Sequence, residues 1–379
     1  MGTTVFLCIC CGLLTYVYIL YPLLVRTLAT RFGVRVERRP EWRRVTVIVT
    51  AYNEQNCIRA KLDNLAALNY PPDLVDILVA SDGSSDSTEE IAANYDARRI
   101  RVLRVEGRRG KTACQNAAAV AASGEILVFT DATTRLHPDA LRALIENFAD
   151  PKVGCVGGRL EYVTDVDNAT GCGGEAYWSY ELRVRASESA LGSLIGVSGC
   201  LYAVRKSAYR PIDPELISDF VIAMRMREQG LRTVLAPDAV CFEETLENGG
   251  HELSMRVRVA IRSLNALVRE RKFLNPLKYG RFAWQLWSHK VLRYASPLLW
   301  LGALAANAAL AQETVYLVLL AGQSAVIAAG AAGFMLQGRG RHLGVLGRPY
   351  YLLLTNAASL IATLRYLRGE RMAIWTPIR

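Results

Sequence analysis

The chain begins with a long segment that carries no charge. Residues 5–25 are mostly apolar and are followed by a series of arginines that starts at Arg26. A helix of about 20 residues spans the roughly 30 Å hydrocarbon core of a bilayer, so this segment predicts a membrane helix. A signal peptide is the alternative, but no basic segment precedes the run and no small-residue cleavage site follows it. We therefore expect an uncleaved membrane anchor over residues 1–28.

Three further apolar segments lie near the C-terminus, at residues 296–311, 315–336 and 350–364. The second is uncharged and long enough to cross a bilayer, whereas the first and third are short for a span. We expect C-terminal membrane helices over residues 296–366. Buried core helices are the alternative for the two short segments.

The residues on either side of this region are amphipathic or basic. Residues 251–295 are predicted to form amphipathic helices at the membrane interface, because Trp284, Trp287 and Arg293 lie in one short stretch. An ordinary packed helix is the alternative for that stretch. A basic tail follows the last apolar segment, at residues 367–379.

Positive charge predicts the orientation of the chain. Its formal charge is +10, and arginines cluster after the first apolar segment and in the loop around Arg341. Cytoplasmic loops carry such an excess, so we expect a multi-pass protein of the inner (cytoplasmic) membrane with its middle part in the cytoplasm. The side of the tail stays open, because four crossings would place it outside, against the same rule. Arginines beside apolar spans fit anionic lipid headgroups and disfavour nucleic-acid binding.

The middle of the chain, residues 42–250, has the pattern of an α/β domain. Short β-rich runs begin at Val45, Ile77, Ile100, Ile126 and Val153, and helical patterns separate them. This alternation predicts a mostly parallel sheet with helices on both faces. The nine cysteines of the chain include no C-x-x-C pair, which fits a reduced cytoplasmic domain rather than a disulfide framework or a zinc site.

Polar signatures follow four consecutive predicted strands. They are Ala51-Tyr52-Asn53-Glu54, Asp82-Gly83-Ser84-Ser85-Asp86, Gly110-Lys111 and Asp131-Ala132-Thr133. Ligands of such sheets bind at the carboxyl ends of the strands. Helix caps alone would not require acids at both Asp82 and Asp131, so we expect a binding site at this edge.

In this order, the motifs resemble the family 2 glycosyltransferases of the GT-A fold, the group that includes chitin, hyaluronan, cellulose and poly-N-acetylglucosamine synthases. The resemblance extends from Val45 to about Leu267. It implies a GT-A nucleotide-diphospho-sugar transferase domain flanked by transmembrane helices. The implied cofactor is Mg²⁺ or Mn²⁺, and the implied donor is a UDP-sugar.

The resemblance assigns roles to residues on the donor side of the site. Ala51, Tyr52 and Glu54 match the first-strand motif that cradles the nucleotide, and Asp82 matches the acid that contacts uracil. Lys111 matches the lysine of the helix after the third strand; a solvated helix-start lysine is the alternative. Asp131 matches the first acid of the metal-binding D-x-D motif.

Further matches lie on the acceptor side. Asp219 matches the catalytic base, with a helix cap before residues 220–229 as the alternative. Ser198, Gly199 and Cys200 resemble the segment at the sugar pocket. Trp178 resembles a residue of the helix that lines the acceptor cleft, with an ordinary core aromatic as the alternative.

Three positions depart from the family pattern. Thr133 stands at the second acid of D-x-D, and Ser218 stands before the base instead of an acid. The Q-x-x-R-W motif of processive members is replaced near residues 256–264, where Arg258 and Arg262 are expected to supply positive charge. The tryptophan platform is absent from this segment, which favours non-processive or short-chain transfer.

We therefore expect a membrane-bound inverting glycosyltransferase. It would move a sugar from UDP-N-acetylglucosamine or UDP-glucose to a saccharide or lipid-linked acceptor in exopolysaccharide or cell-envelope glycan synthesis. A processive β-polysaccharide synthase that secretes through its own helices, with polysaccharide export partners, is one alternative. A non-catalytic subunit of a glycan export complex is the other.

Overall fold

An eight-stranded sheet forms the centre of the structure, a computed structural model that describes residues 1–95, 100–163, 171–244, 249–338 and 343–372. The strands follow the order β3-β2-β1-β4-β7-β6-β8-β5 across the sheet. They are β1 (Val45–Ala51), β2 (Val75–Ser81), β3 (Ile100–Arg104), β4 (Ile126–Asp131), β5 (Arg135–Leu136), β6 (Val153–Val163), β7 (Leu201–Arg205) and β8 (Arg232–Glu244).

The sheet is mixed rather than mostly parallel. The pairs β1–β2, β2–β3, β1–β4 and β6–β8 are parallel, whereas β4–β7, β6–β7 and β5–β8 are antiparallel. The five predicted strands correspond to β1, β2, β3, β4 and β6. The other three were not predicted from the sequence pattern, and β7 runs against both of its neighbours.

Helices cover both faces of this sheet. Val47 and Val49 of β1 pack in one core with Leu62 and Leu144. Successive side chains of a strand point to opposite faces, and the intervening Ile48 is equally buried at 0% exposure. A strand buried on both faces explains why β1 is a continuous apolar run with little alternation.

Fourteen α-helices are formed by the described residues. They are α1 (Gly2–Thr15), α2 (Tyr21–Phe32), α3 (Ile58–Ala66), α4 (Thr88–Ala93), α5 (Lys111–Ala121), α6 (Ala140–Ile145), α7 (Gly171–Leu191), α8 (Ser218–Glu228), α9 (Gly249–Arg269), α10 (Pro276–Tyr279), α11 (Arg281–Leu286), α12 (Leu292–Ala309), α13 (Thr314–Gln337) and α14 (Gly347–Leu367). The predicted helices of the middle part correspond to α3, α4, α5 and α6.

The chain divides into two units. The α/β unit contains Phe32–Val163 and Glu188–Glu244, and the helical unit contains the described residues of Met1–Arg31, Thr164–Ser187 and Thr245–Glu370. The α/β unit therefore holds the sheet, while most of α7, which interrupts it in sequence, belongs to the helical unit.

A π-helical turn, Tyr16–Leu20, joins α1 and α2 into one continuous helix, Gly2–Phe32. By length and composition, this helix and Thr314–Gln337 are the two in the described chain that are long and apolar enough to cross a membrane. The predicted short segments correspond to α12, which ends at Ala309, and to α14; neither helix meets this criterion. Tyr350, Tyr351 and Leu354 of α14 are buried against Leu253 and Leu336 inside the helical unit. This part of α14 therefore packs against neighbouring helices, and the assignment of residues 296–366 to membrane helices stays a prediction.

The stretch predicted as an interface helix is also packed. Phe282, Gln285 and Ser288 are at most 3% exposed. The indole of Trp284 donates to the Tyr16 hydroxyl at 2.8 Å, within the helical unit. An interfacial position for residues 251–295 stays a proposal.

Candidate active site

The loops after β1 and β2 are held together by hydrogen bonds. Asn53 has a positive φ of 52°, a conformation that asparagine tolerates better than most residues. Its backbone amide donates to the Ser84 hydroxyl at 3.1 Å, and its side-chain oxygen accepts from the Ser85 amide at 2.8 Å. These bonds fix the shape of the edge on which Ala51, Tyr52 and Glu54 lie.

The predicted nucleotide residues of the first loop differ in exposure. Ala51 and Glu54 are buried, with exposed fractions of 1% and 4%. Tyr52 is half-buried, and the Arg108 guanidinium lies 3.9 Å from the centroid of its ring. An aromatic ring and a guanidinium are both groups on which a nucleobase stacks, so this pair provides a platform for one.

Asp82 links the end of β2 to the start of α5. The carboxylate is 2% exposed and accepts the backbone amides of Arg109 at 2.8 Å and Gly110 at 2.9 Å. Gly110, with a φ of 87°, is the N-cap of α5 and places Lys111 in the first turn. The buried acid therefore positions the helix start, while its predicted contact with uracil stays a proposal.

Lys111 and Asp131 form a largely buried ion pair. The Lys111 ammonium lies 2.5 Å from Asp131 Oδ1, with side chains 14% and 18% exposed. Burial by itself lowers the pKa of Lys111, but the neighbouring carboxylates, Asp131 above all, more than offset this, and the net pKa is raised. Lys111 is thus a charged, fixed cation rather than a solvated helix-start lysine.

Gly199 brings Asp219 to the same place. A Cβ atom at Gly199 would lie 2.7 Å from Asp219 Oδ2 and 3.3 Å from Lys111 Nζ. The Lys111 ammonium also donates to the Gly199 carbonyl at 3.3 Å. Because glycine has no side chain, two acids and one lysine, Asp131, Asp219 and Lys111, meet here; their predicted roles stay proposals.

Asp219 does not occupy the N-cap position of its helix. Helix α8 begins at Ser218, its N-cap is Ile217, and no side chain caps it. Asp219 lies in the first turn, so the helix-cap alternative, which placed the helix start at residue 220, does not describe its position.

Asp131 also belongs to a second group of side chains. Ligand atoms of Asp131, Cys200 and Glu243 lie within 4.8 Å of one another, and this arrangement suits a divalent cation. Burial, followed by repulsion from Asp131, raises the pKa of Glu243. Burial, followed by repulsion from Glu243, raises the pKa of the Cys200 thiol well above its ordinary value. A bound cation would relieve this repulsion.

A buried lysine supports the turn that carries Asp131. Lys61 is 3% exposed, and its ammonium donates to the Thr130 hydroxyl at 2.9 Å and to the Thr134 carbonyl. Burial lowers the pKa of Lys61 to about 8, against the opposite effect of Asp131. Lys61 thereby bridges the residues on both sides of the 131–133 segment.

The remaining predicted residues lie in the helical unit. Trp178 of α7 and Arg258 of α9 are half-buried, and Arg262 is 6% exposed. The Arg256 guanidinium lies 5.8 Å from the Trp178 ring centroid and 4.7 Å from that of Tyr351. Trp178 is therefore part of an aromatic cluster around Arg256, and the acceptor-side roles of Trp178, Arg258 and Arg262 stay proposals.

Sequence reasoning missed Glu243, Lys61 and Arg256. Glu243 lies near the end of β8, so the strand-end rule that found Asp131 would have found it if β8 had been recognised. Lys61 has the position of an ordinary surface lysine in a helical pattern. Nothing in the sequence distinguished Arg256 from the other arginines of the same helix.

Several known proteins are similar to this chain. The sequence model of "Glycosyl transferase family 2" matches residues 46–212. Poly-beta-1,6-N-acetyl-D-glucosamine synthase of Staphylococcus aureus (strain MSSA476) is 28% identical over 248 residues, covering 63% of this chain and 58% of that protein. The Staphylococcus epidermidis enzyme of the same name is 26% identical over 270 residues, covering 66% of this chain and 64% of that protein. The chain thus spans less than two thirds of the length of these curated relatives.

A solved structure matches almost the whole chain. The mannosyltransferase PcManGT from Pyrobaculum calidifontis, determined with GDP-Man and Mn²⁺, aligns with a TM-score of 0.73 at 24% identity. The alignment covers 96% of this chain and 100% of that one. The mixed α/β sheet described above is therefore the GT-A fold that the sequence predicted.

Proposed function

We propose that residues 46–212, which match the model of glycosyl transferase family 2, form a glycosyltransferase domain of that family, and that the chain is a membrane-bound inverting glycosyltransferase. The proposed donor is UDP-N-acetylglucosamine or UDP-glucose, and the proposed acceptor is a saccharide or lipid-linked glycan of the cell envelope. The observation that carries the proposal is the convergence of Lys111, Asp131 and Asp219 around Gly199.

The donor would bind along the edge formed by the first two loops. The Tyr52–Arg108 pair offers a stacking platform for the base. The Lys111 ammonium is the nearest fixed positive charge for the diphosphate, whose negative charge increases as the sugar leaves. Mg²⁺ or Mn²⁺ held by Asp131 and its neighbours would neutralise part of that charge when bound.

The acceptor hydroxyl would be activated by Asp219. In the proposed reaction the hydroxyl oxygen forms a bond to the anomeric carbon, and the bond from that carbon to the diphosphate oxygen breaks. The hydroxyl proton passes to the Asp219 carboxylate, a contribution of about 10²–10⁴-fold to the rate. In-line attack inverts the anomeric centre, so an α-linked donor gives a β-linked product.

A donor screen tests this proposal. We expect the purified full chain, with Mg²⁺ or Mn²⁺ and membrane lipid, to release UDP from at least one of the two UDP-sugars. The Asp131→Ala variant should lower this rate by about 10²–10³-fold, the usual cost of losing one electrostatic contact in the transition state. GDP-mannose is the comparison donor, because the structural neighbour was solved with GDP-Man.

Each outcome of the screen has a distinct meaning. Release of GDP from GDP-mannose, without release of UDP, would refute the proposal of a UDP-sugar donor but would support glycosyltransferase activity. No release from any donor, together with no nucleotide binding by calorimetry, would favour a non-catalytic subunit of an export complex. Product length on a gel separates single addition from processive synthesis.

Membrane association is the second part of the proposal. The Gly2–Phe32 helix carries Leu23 at 56% exposure, and α13 carries Val318 at 64% exposure. Apolar side chains of this kind are stable in a hydrocarbon core. We expect the chain to stay in the membrane pellet after an alkaline carbonate wash that releases a peripheral control protein. Recovery in the supernatant would contradict integral insertion.

A further inference from the structure

We infer that Cys200 and Glu243 complete, with Asp131, the cation site of the proposed transferase. We further infer that the sulfur ligand makes this site favour a first-row transition cation, from Mn²⁺ to Zn²⁺, over Mg²⁺. The role of the cation in transfer rests on the proposed function, whereas the evidence for the site itself is the arrangement of the three side chains. Their ligand atoms lie within 4.8 Å of one another.

The D-x-D motif has only one acid in this chain. The other two ligands of the proposed site come from segments outside the motif. Thr133, at the second acid position, is exposed. Cys200 instead lies directly before β7, which pairs with β4, and Glu243 lies near the end of β8. Two carboxylates and one thiol thus converge from three segments far apart in sequence.

The surroundings hold these donors in place. The Thr134 hydroxyl donates to Glu243 Oε1 at 2.9 Å, and the Thr134 amide donates to the Asp131 carbonyl at 3.3 Å. Lys61 donates to the carbonyl of the same Thr134 and to the Thr130 hydroxyl. Outer hydrogen bonds of this kind orient the ligands of metal sites and are part of their affinity.

Asp131 keeps an oxygen for a cation despite its ion pair. Its Oδ1 contacts the Lys111 ammonium at 2.5 Å and accepts from the Thr50 hydroxyl at 3.4 Å. No hydrogen bond to Oδ2 is formed by the described part of the chain. Lys111 and a cation can therefore share the carboxylate, one on each oxygen.

The sulfur decides which cations suit the site. Mg²⁺ requires near-octahedral oxygen ligands and loses its waters reluctantly. Thiolates favour softer cations such as Zn²⁺, carboxylates suit Mn²⁺ as well as Mg²⁺, and Zn²⁺ is also bound by carboxylates. A site of two carboxylates and one thiolate therefore discriminates against Mg²⁺, which an all-oxygen D-x-D site would not do.

Spectroscopy of the full chain tests this directly, without any transfer reaction. Cd²⁺ is titrated into the detergent-purified protein, with and without UDP, and the thiolate-to-cation charge-transfer absorption is recorded. We expect a band that is lost in Cys200→Ser and retained in Cys155→Ser, a buried cysteine of β6. Subtraction of the Cys200→Ser spectrum isolates this sulfur, because every other thiol is common to both proteins.

A matched pair of variants also tests the role of the Glu243 carboxylate. Glu243→Gln should weaken Cd²⁺ and Mn²⁺ binding by at least about 10-fold, in the range found when metal-site partners are removed. Glu244→Gln, at the exposed neighbouring position, should leave binding unchanged. Mg²⁺ should fail to displace Cd²⁺ at the concentration at which Mn²⁺ does. Circular dichroism and the melting temperature identify any variant that has not folded.

Several results would overturn the inference. They are persistence of the band in Cys200→Ser, its loss instead in Cys241→Ser, and equal displacement of Cd²⁺ by Mg²⁺ and Mn²⁺. Each would remove Cys200 as a selective ligand even if UDP release were intact. A Cys200-dependent band in a protein that releases no nucleotide from any donor would leave the cation site standing and refute the proposed function alone.

Discussion

The Asp219→Asn variant is expected to transfer sugar about 10²- to 10⁴-fold more slowly than the wild type while binding UDP equally well. Asparagine keeps the size of the side chain but cannot take the proton of the acceptor hydroxyl. The carboxylate lies beside Gly199 and Lys111, where the proposed reaction takes place. The rate is measured as UDP release at saturating donor, and nucleotide affinity is measured by calorimetry.

Glu228→Gln is the matched control for this variant. Glu228 ends the same helix, is exposed, and pairs with Arg225 at 3.4 Å, so its charge has no role in the proposed reaction. Its turnover should equal that of the wild type. If Asp219→Asn kept full turnover, or lost nucleotide affinity together with turnover, the base would have to be sought elsewhere.

Substitution of Gly199 by alanine is expected to lower turnover by about 100-fold, the loss that a 1 Å misplacement of a reacting group can cause. The new Cβ atom would lie 2.7 Å from Asp219 Oδ2 and 3.3 Å from Lys111 Nζ, so both charged groups would have to move. Valine should be worse than alanine, because its two methyl groups need more room in the same place. UDP release and the melting temperature are measured together.

Gly196→Ala separates crowding in general from crowding at the reacting groups. A Cβ atom at Gly196 would lie 3.2 Å from the Phe220 ring, with no charged side chain among its nearest contacts. We expect a modest loss of stability there and near-normal turnover. Equal turnover losses in the two alanine variants would show that Gly199 matters only for packing.

The strand-end rule explains why part of the site was predictable. In β1, β2 and β4 the buried apolar run ends at the residue where polar side chains begin, and parallel strands bring these ends to one edge. Asp82, Lys111 and Asp131 were found in this way before any contact was known. Local sequence identified them because each follows directly from the end of its own strand or begins the next helix.

The same rule would have found Glu243 only if β8 had been recognised, and it does not apply to Lys61, which lies in a helix. Glu243 approaches Asp131 because β8 pairs with β6, and β6 and β4 pair with β7, none of which local sequence indicates. Lys61 donates to a buried threonine 69 residues away in sequence, and Gly199 lies beside an acid 20 residues away. Long-range pairing is a property of the whole fold.

The apolar segments show the same division. Composition alone predicted the charge-free runs at residues 5–25 and 315–336, which lie within the two helices that are long and apolar enough to cross a membrane, Gly2–Phe32 and Thr314–Gln337. Composition could not decide whether α14 is surrounded by lipid or by protein. In the structure its Tyr350, Tyr351 and Leu354 face other helices. A helix of intermediate polarity is buried by lipid or by protein, and only its packing partners distinguish the two.

The sequence by itself predicted the fold class, the edge of the sheet that carries the candidate site, and four charged residues of that site. Asp82, Lys111 and Asp131 follow from local periodicity and from where strands end, and Asp219 follows from the family resemblance. The tertiary structure alone decided which side chains meet. It placed Gly199 between Asp219 and Lys111, and it joined Cys200 and Glu243 to Asp131. The physical reason is that an antiparallel strand, β7, lies between β4 and β6, and the order of strands in a sheet is set by packing of the whole chain.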